Sequence, residues 1–305
     1  MPFYKIEQVL ITTSGASFSS DAVKKCANSG IPITFLARDG TPYAQIQSPH
    51  FQGTVLTRRA QLLAFTDKRG LLLGKAFAQG KVANQIYLLK YMAKYRKNVN
   101  PSLYERIYEQ IKGMEGILKG ISEVKGQTID DVRATLLNME GRSANLYWQT
   151  VAEILPETAG FSNREKRGAA DLTNSLLNYG YGILYSQVWV AIILAGLDPY
   201  AGFLHVDRPG KPSLVLDLIE EFRQPIVDET IFGMLGRNID FQIEEGKLGE
   251  RSTRELAEKI LNRLDSKERY RRRKCTLRTI IQCQARSIAT FVRGESSYKP
   301  FVSSW

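Results

Sequence analysis

The sequence predicts an α+β protein, with a small β-rich N-terminal domain over residues 1–52 and a larger, mainly α-helical domain over residues 53–305. The first domain is indicated by short apolar runs between turn residues, a pattern typical of strands. The second is indicated by apolar residues that recur every three or four positions from about Thr54 onward, which is the period of amphipathic helices. With 305 residues, 43% of them hydrophobic, the chain has enough material for two cores.

We expect two strands, a short helix and a hairpin arm in the N-terminal domain. The run QVLITT (8–13) predicts the first strand and IPITFLA (31–37) the second. Between them, a serine or Asp21 can cap a helix that ends before Gly30. Asp39-Gly40 marks a turn, and the alternating segment after it predicts the returning arm of a hairpin.

The larger domain is predicted as a series of helices. Most have apolar residues at helical spacing on one face, and one is apolar all round, which is typical of the buried centre of a bundle. A short β-ribbon or loop precedes the last two helices. The main predicted features are helical segments from Val55, from Lys75 to Lys97, from Tyr104 to Gly126 and from about Thr128, the all-round apolar helix Leu172–Leu197, a helix capped at Ser252 or Thr253, and a basic final helix.

Glu140 lies inside the apolar stripe of an amphipathic helix, ATLLNMEGRSANLYWQTVAEIL. A buried carboxylate is costly unless it is protonated, paired with a cation or bound to a metal. Arg142 and Lys125 are possible partners for a plain ion pair. A structural ion pair and a metal ligand are therefore both open interpretations.

His205 is one of only two histidines and stands in a loop punctuated by Gly and Pro. The helix that follows places Asp217, Glu220 and Glu221 on the arc opposite its apolar residues. One interpretation is a loop histidine beside a solvated acidic face. The other is a nitrogen ligand and carboxylates that are brought close to one another.

The formal net charge of +11 favours an anionic partner such as nucleic acid. The densest basic stretch is SKERYRRRKCTLRTIIQCQARSIATFVRG, which we expect to form the final helix and to contact the DNA backbone rather than only solvent. A basic loop with Arg164, Lys166 and Arg167 can hold phosphates or present simple surface charge. The basic residues expected along the final helix are Arg269, Arg271, Arg272, Arg273, Lys274, Arg278, Arg286 and Arg293.

Several other classes of protein are disfavoured. Three cysteines without C-x-x-C spacing indicate neither a disulfide framework nor a zinc ribbon, and the Gly-Lys in RGLLLGKAF lacks the spacing of a phosphate-binding loop. The first residues lack the layout of a signal peptide. The longest apolar run, Val188–Leu197, is shorter than the about 20 residues that cross a bilayer. We therefore expect a cytoplasmic protein without a membrane partner.

Four stretches carry a family resemblance: MEGRSANLYW, LTNSLLNYGYGILYSQVWVAIILAGLDPYAGFLH, PSLVLDLIEEFRQPIVD and YKPFVSSW. They combine E-G-x-x-A-x-x-Y, G-x-x-P-x-x-G-F-L-H and D-L-x-E-x-F-R in one order. This combination resembles the CRISPR-associated integrase of spacer acquisition, the first-numbered CRISPR-associated protein family.

The resemblance implies a metal-dependent DNA endonuclease and integrase that inserts captured DNA fragments into the CRISPR repeat array, with a DNA 3′-hydroxyl as the attacking group. It implies that Glu140, His205 and Glu220 are metal ligands and that Asp217 accompanies them in the catalytic set. Two carboxylates and a neutral imidazole suit Mg²⁺ or Mn²⁺. The candidate DNA contacts are Arg142, Arg164, Arg167, Arg223, Arg271, Arg272 and Arg273.

The resemblance also implies partners other than DNA. They are a second copy of the chain, paired through the N-terminal sheet, and the small ferredoxin-like second CRISPR-associated protein, which bridges two dimers. Two alternatives stay open: a transposon-type integrase of the same family and a non-catalytic basic DNA-binding scaffold. A scaffold has no reason to place Glu140 in an apolar stripe facing His205, so these residues discriminate between the classes.

Overall fold

The computed structural model describes residues 6, 8–13, 15–37, 42–46, 48, 55–94, 96–165, 171–237, 241, 243–244 and 247–303. The predicted Asp39-Gly40 turn and the candidate DNA contact Arg167 lie outside these residues. The predicted architecture is confirmed: a small sheet with one helix comes first, and a helical bundle follows it.

The N-terminal part is a three-stranded sheet in the order β1 (Val9–Ile11), β2 (Ile33–Leu36), β3 (Pro42–Ile46). Strands β1 and β2 are parallel, and β2 and β3 are antiparallel. Helix α1 (Ser20–Asn28) makes the crossover, and the Ser19 side chain accepts a hydrogen bond from Ala22 N, which caps its first turn. The strands, the helix and the serine cap therefore agree with the sequence prediction.

The remaining described elements are mostly helical and share one large core. Helices α3, α5 and α6 pack side by side, while α7 contacts α8, α10 and α11. The elements are α2 (Val55–Ala64), α3 (Lys68–Ala93), α4 (Arg96–Val99), α5 (Pro101–Glu123), α6 (Arg133–Ile154), α7 (Leu172–Leu194), α8 (Ser213–Ile219), a π-helical turn (Arg223–Asp228), α9 (Glu229–Leu235), β4 (Ile243–Glu244), β5 (Lys247–Leu248), α10 (Glu250–Asp265), β6 (Lys267–Tyr270), β7 (Arg273–Thr276) and α11 (Leu277–Val292).

Helix α7 forms the predicted buried centre of the bundle. It is long and apolar enough to cross a membrane, but 72% of its most apolar window is buried inside the protein. Its side chains, such as Leu176, Ile183 and Val188, are fully buried. The apolar composition of α7 is therefore accounted for by the core of the bundle.

The basic stretch before α11 is not helical, which corrects the sequence prediction. Residues 267–276 form an antiparallel hairpin of β6 and β7, with Arg271 and Arg272 as its two-residue turn. Both have positive φ, 45° and 67°, which costs an L-residue roughly 1–2 kcal/mol. A smaller correction concerns α10, which begins after Gly249 rather than at a cap on Ser252 or Thr253.

Candidate active site

Glu140 lies on the face of α6 that packs against α3, and only 8% of its surface is exposed. Its Oε1 accepts a short hydrogen bond from Lys81 Nζ on α3. The ion pair that the sequence left open thus exists, but its partner is neither Arg142 nor Lys125. Arg142 is exposed on the other side of α6.

Glu220 directly follows α8 and is almost completely buried. Lys81 Nζ lies 2.7 Å from its Oε2 and forms an ion pair with it. Arg223 Nε lies 3.1 Å from Oε1. Burial alone would raise the pKa of Glu220, but Arg223, Lys81 and His205 together lower it to about 2. Glu220 is therefore a buried carboxylate that stays ionised.

Lys81 joins the two glutamates from different helices. Burial alone would lower its pKa, but Glu220 and Glu140 raise it above the usual value, so the ammonium stays charged. Among the described residues, Glu140 Oε2 has no hydrogen-bond partner although it is buried. The two carboxylates thus surround one cation, and one of their oxygens is free to accept another bond.

The loop before α8 is held by Asp217, whose side chain is fully buried. Its carboxylate accepts hydrogen bonds from the backbone N–H groups of Phe203 (2.6 Å), Leu204 (3.0 Å) and His205 (2.8 Å). Gly202 is required at the start of this turn, because a Cβ there would lie 2.6 Å from the carbonyl carbon of Ser213. The G-F-L-H motif is therefore a turn wrapped around one carboxylate.

The same carboxylate orients the imidazole of His205. Nδ1 of His205 lies 2.8 Å from Asp217 Oδ1, and the remaining lone pair of a neutral imidazole is then on Nε2. The imidazole is also close enough to Glu220 to lower the pKa of that carboxyl. Asp217 positions His205 and has no oxygen left for a ligand of its own.

The donor set fits a hard divalent cation. Within the part of the chain that the structure describes, no three His, Cys, Asp or Glu side chains converge closely enough to hold a metal ion as they stand. Instead, the ammonium of Lys81 lies between Glu140 and Glu220. The residues that would hold Mg²⁺ or Mn²⁺ are these two glutamates, one with a free buried oxygen, and His205 through Nε2.

A second polar cluster adjoins this site through the π-helical turn Arg223–Asp228, a distortion often found at functional sites. The guanidinium of Arg223 lies 4.5 Å from the ring centroid of Tyr181. The hydroxyls of Tyr181 (2.5 Å) and Tyr147 (2.7 Å) donate to Asp228. Burial raises the pKa of Asp228, and the two hydroxyls only partly offset it. The predicted DNA contact Arg223 is therefore largely engaged within the protein.

Glu221 is fully buried, so the interpretation of a solvated acidic face is wrong. It accepts hydrogen bonds from the Tyr298 hydroxyl (2.5 Å), Gln284 Nε2 (2.7 Å) and the backbone N–H of Phe301 (2.8 Å). Burial raises its pKa to about 7, against the effect of these three donors. Glu221, the residue next to Glu220, thus holds residues 298–301 beside the site.

Asn84 on α3 fastens the same segment from the other side. Its Nδ2 donates to the carbonyl oxygens of Gly80, Glu221 and Phe301, and its Oδ1 accepts from Ser303 N. A Cβ at Gly80 would lie 2.9 Å from Pro300, so this position must be glycine for the segment to pass. The C-terminal segment is therefore built into the wall of the site.

The other predicted DNA contacts lie at separate places. Arg164 donates to Asn174 (2.9 Å) and Asn178 (2.6 Å), and its guanidinium lies 5.4 Å from the Tyr181 ring centroid. Arg142 is exposed two positions after Glu140. Arg271, Arg272 and Arg273 are exposed at the β6–β7 hairpin.

Sequence reasoning missed the role of Lys81 and of the C-terminal segment. A signal for Lys81 was available, because it lies between the apolar residues Ala78 and Val82 on α3, where a charge needs a partner. The hydrogen bonds of Tyr298 and Phe301 to Glu221 left no periodic pattern, since they connect residues about 80 positions apart.

Comparisons with known proteins agree with this architecture. A family model described as CRISPR associated protein Cas1 matches residues 1–266. The CRISPR-associated endonuclease Cas1 1 of Archaeoglobus fulgidus is 39% identical over 98% of this chain and 90% of its own length.

Two solved structures have the same fold. A casposase bound to an integration product superposes with a TM-score of 0.82 at 24% identity, over 97% of this chain and 80% of that one. A Cas6-RT-Cas1–Cas2 complex superposes with a TM-score of 0.77 at 19% identity, over 97% of this chain and 32% of that one. The family model and the sequence identity show that this chain belongs to the Cas1 family of CRISPR-associated proteins.

Proposed function

We propose that the protein is a metal-dependent DNA endonuclease and integrase of CRISPR adaptation. The observation that carries the proposal is the meeting of Glu140 and Glu220 around Lys81, with His205 beside them and Asp217 behind the imidazole. Two carboxylates close to one another in a buried place are costly to build. A solely DNA-binding scaffold has no use for them.

In this proposal, Glu140, Glu220 and His205 hold Mg²⁺ or Mn²⁺, which polarises the scissile phosphate and offsets charge on the leaving oxygen when it is bound. Asp217 keeps the His205 imidazole in one orientation. Lys81 and Arg223 place positive charge next to Glu220 and keep this carboxylate ionised. Each described residue of the site thus has a role in holding or orienting charge.

The reaction that we propose is a transesterification. The oxygen of a DNA 3′-hydroxyl forms a new bond to phosphorus, the bond to the 3′-oxygen of the target strand breaks, and the proton passes from the attacking to the leaving oxygen. One phosphodiester replaces another, so no nucleotide needs to be hydrolysed. The net charge of +11 favours binding of both DNA partners.

We further propose that the protein works as a homodimer. Four large apolar residues of α2 are at least 60% exposed, and their spacing places them on one face of that helix. A second copy of this face is the occupant that we propose for them, and pairing through the N-terminal sheet, which the resemblance implies, stays the alternative interface. These residues are Val55, Leu56, Leu62 and Leu63.

The second proposed partner is the small second CRISPR-associated protein, Cas2. The solved Cas6-RT-Cas1–Cas2 complex contains this fold, and this likeness supports the assignment. We place the assembly in the cytoplasm.

The test is joining of a 3′-hydroxyl DNA end to a plasmid that carries the CRISPR repeat, with Mn²⁺, with Mg²⁺ and with chelator. Glu140→Gln, His205→Ala and Glu220→Gln should each abolish joining while DNA affinity stays within about twofold, since they remove ligands and no basic surface. Glu153→Gln, which changes an exposed carboxylate on the same helix α6, is the matched control and should keep activity. Full joining in chelator, or by folded His205→Ala, would contradict the metal assignment.

The same assay separates the transposon-type alternative, which the likeness to a casposase keeps open. An adaptation integrase should prefer the repeat-containing plasmid over a plasmid without the repeat. Equal joining to both plasmids would favour the transposon-type integrase.

A further inference from the structure

A cleft of about 540 Å³ lies between the β6–β7 hairpin, helix α11 and the C-terminal segment. The hairpin contributes Arg269 and Arg271, and the opposite wall contributes Lys299. The buried Ser287 and Phe301 form part of its lining. The cleft is separate from the site around Lys81, although both adjoin residues 220–222.

The chemistry of the cleft suits a phosphate group. Its lining residues include three cations and several hydroxyls and, among the described residues, no carboxylate. Arginine, lysine and hydroxyl groups are the usual side-chain donors to nucleic-acid phosphates. A cationic ligand would find no compensating negative charge among these lining residues.

Two contacts fix the side chain of Arg271 where it lines the cleft. Its Nη2 donates to Ser287 Oγ at 2.8 Å, and its guanidinium lies 5.0 Å from the ring centroid of Tyr270. These contacts leave other N–H groups of the guanidinium free to donate, since it has five. The side chain therefore need not be ordered when an anion binds.

The backbone at this turn is unfavourable for arginine. Two-residue hairpin turns with positive φ at both positions are usually made by Asn-Gly or Gly-Gly, whereas here Arg271 and Arg272 adopt them. Strained conformations of this kind occur often at functional sites. For Arg271, the side chain that lines the cleft gives a reason for the strain.

The cleft is also connected to Glu221 and Phe222, the two residues that follow Glu220. Tyr270 donates to Gln284 Oε1 at 2.9 Å, and Gln284 in turn donates to Glu221. The ring of Phe301 stacks on Phe222 with centroids 5.3 Å apart. A strand bound in the cleft would therefore be held by residues that pack directly behind Glu220.

We propose that this cleft binds a backbone phosphate of a DNA strand, with Arg271 and Lys299 as its main donors. The proposal rests on the proposed function and extends it, because it assigns a binding subsite away from the metal ligands. Arg272, the other turn residue, does not line the cleft. This proposal therefore leaves Arg272 out of the DNA contacts expected from the sequence.

The experiment compares Arg271→Gly with Arg272→Gly in the full-length protein. Both variants lose one positive charge and both relieve positive φ, so their melting temperatures should be unchanged or higher. Binding of a fluorescein-labelled single-stranded oligonucleotide is measured by anisotropy in chelator over a range of salt concentrations. Arg271→Gly should weaken binding about 10-fold and flatten the salt dependence by about 0.7. Arg272→Gly should stay within about twofold.

Lys299→Gln, on the opposite wall, should show the same loss and replaces the first variant if Arg271→Gly melts at a lower temperature. Equal affinities of the Arg271 and Arg272 variants would overturn the proposal. A second arm measures melting with inorganic phosphate. If phosphate stabilises the wild type but not Arg271→Gly, while both variants bind the oligonucleotide equally, the cleft is a small-anion site and not a DNA subsite.

Joining activity distinguishes this proposal from the function on which it rests. Glu140→Gln should bind the oligonucleotide like the wild type. A wild-type protein that binds through Arg271 but joins no ends would contradict the proposed function alone. A protein that joins ends but binds equally in the Arg271 and Arg272 variants would contradict the cleft alone.

Discussion

Asp217 and Lys81 show how single residues prepare this site. Asp217 uses both carboxylate oxygens on the 203–205 turn and the His205 ring, so its contribution is orientation. Lys81 neutralises part of the charge of two buried glutamates. Neither role follows from residue type alone, since both depend on atoms that the fold brings within about 3 Å.

Replacing Lys81 by methionine should destabilise the metal-free protein. The change keeps the size of the side chain but leaves Glu140 and Glu220 buried without the ammonium, which costs about 3–5 kcal/mol when one partner of a buried pair is removed. Urea unfolding in chelator measures the loss, and added Mn²⁺ should restore part of it.

Lys90→Met is the matched control, because Lys90 is also on α3 and pairs with Glu115 on α5, but both side chains are at least 40% exposed. Its effect should stay below about 1 kcal/mol. A Lys81→Met protein that is as stable as Lys90→Met would show that the buried ammonium is not needed.

At the scale of elements, a three-residue charge cluster joins α9, α10 and β6. Arg263 Nη2 lies 2.6 Å from Glu229 and 3.0 Å from Glu268, and Arg263 Nε donates to Pro225 O at 2.8 Å. One guanidinium thus serves two carboxylates and the π-helical turn. Burial raises the pKa of Glu229 to about 7, because Arg263 offsets it only in part and Glu268 adds to it.

This pKa makes stability depend on pH. The folded protein binds the Glu229 proton more tightly than the unfolded chain, where the pKa is about 4.5. The resulting stabilisation is fully present below about pH 4.5 and is lost as the pH rises through 7. Glu229→Gln should remove this contribution, about 3 kcal/mol, from the pH dependence of the unfolding free energy.

Urea unfolding at about pH 5 and pH 7.5 checks the prediction. Glu250→Gln serves as the control, since Glu250 belongs to an exposed pair with Arg254 and should leave the pH profile unchanged. A profile that is identical in the wild type and in Glu229→Gln would refute the raised pKa.

The elements were predictable where one local rule decided them. Helices α3 and α5 follow the apolar period, α7 follows its all-round apolar composition, and α1 follows its serine cap. The β6–β7 hairpin escaped prediction because its turn contains Arg271 and Arg272 in place of the glycine or asparagine that usually marks such a turn. Basic residues are good helix formers, so local propensity favoured the wrong structure.

The candidate site was predictable in its residue types and not in its pairing. The position of Glu140 on an apolar stripe indicated buried charge, whereas the acidic residues after His205 were open to a solvated and to a ligand interpretation. The cation that joins them comes from α3, and no spacing along the chain connects Lys81 with Glu220. Likewise, the partners of Asp217 are backbone N–H groups, which every sequence contains.

At the scale of the whole molecule, the exposed apolar face of α2 predicts self-association. Replacing Leu62 and Leu63 by arginine should convert the dimer into a monomer, because two charges would then be buried in the interface. Light scattering at micromolar concentration measures the mass, and circular dichroism checks that the helical content is kept.

Val99→Arg provides the control, since Val99 is 84% exposed on α4, away from that face. It should remain a dimer. A wild-type monomer at the same concentration would rule out the proposed homodimer, and a dimeric Leu62→Arg/Leu63→Arg variant would move the interface elsewhere.

The hydrogen bonds of the C-terminal segment also govern when the protein can become active during its synthesis. Tyr298, Phe301 and Ser303 supply partners to Glu221 and Asn84, and the ribosome makes them after all the helices of the bundle. N-terminal regions fold first on the ribosome, so Glu221 in a nascent chain has only Gln284 as a donor until residues 298–303 emerge. The wall of the proposed active site is thus completed only after helices α1 to α11 have been synthesised.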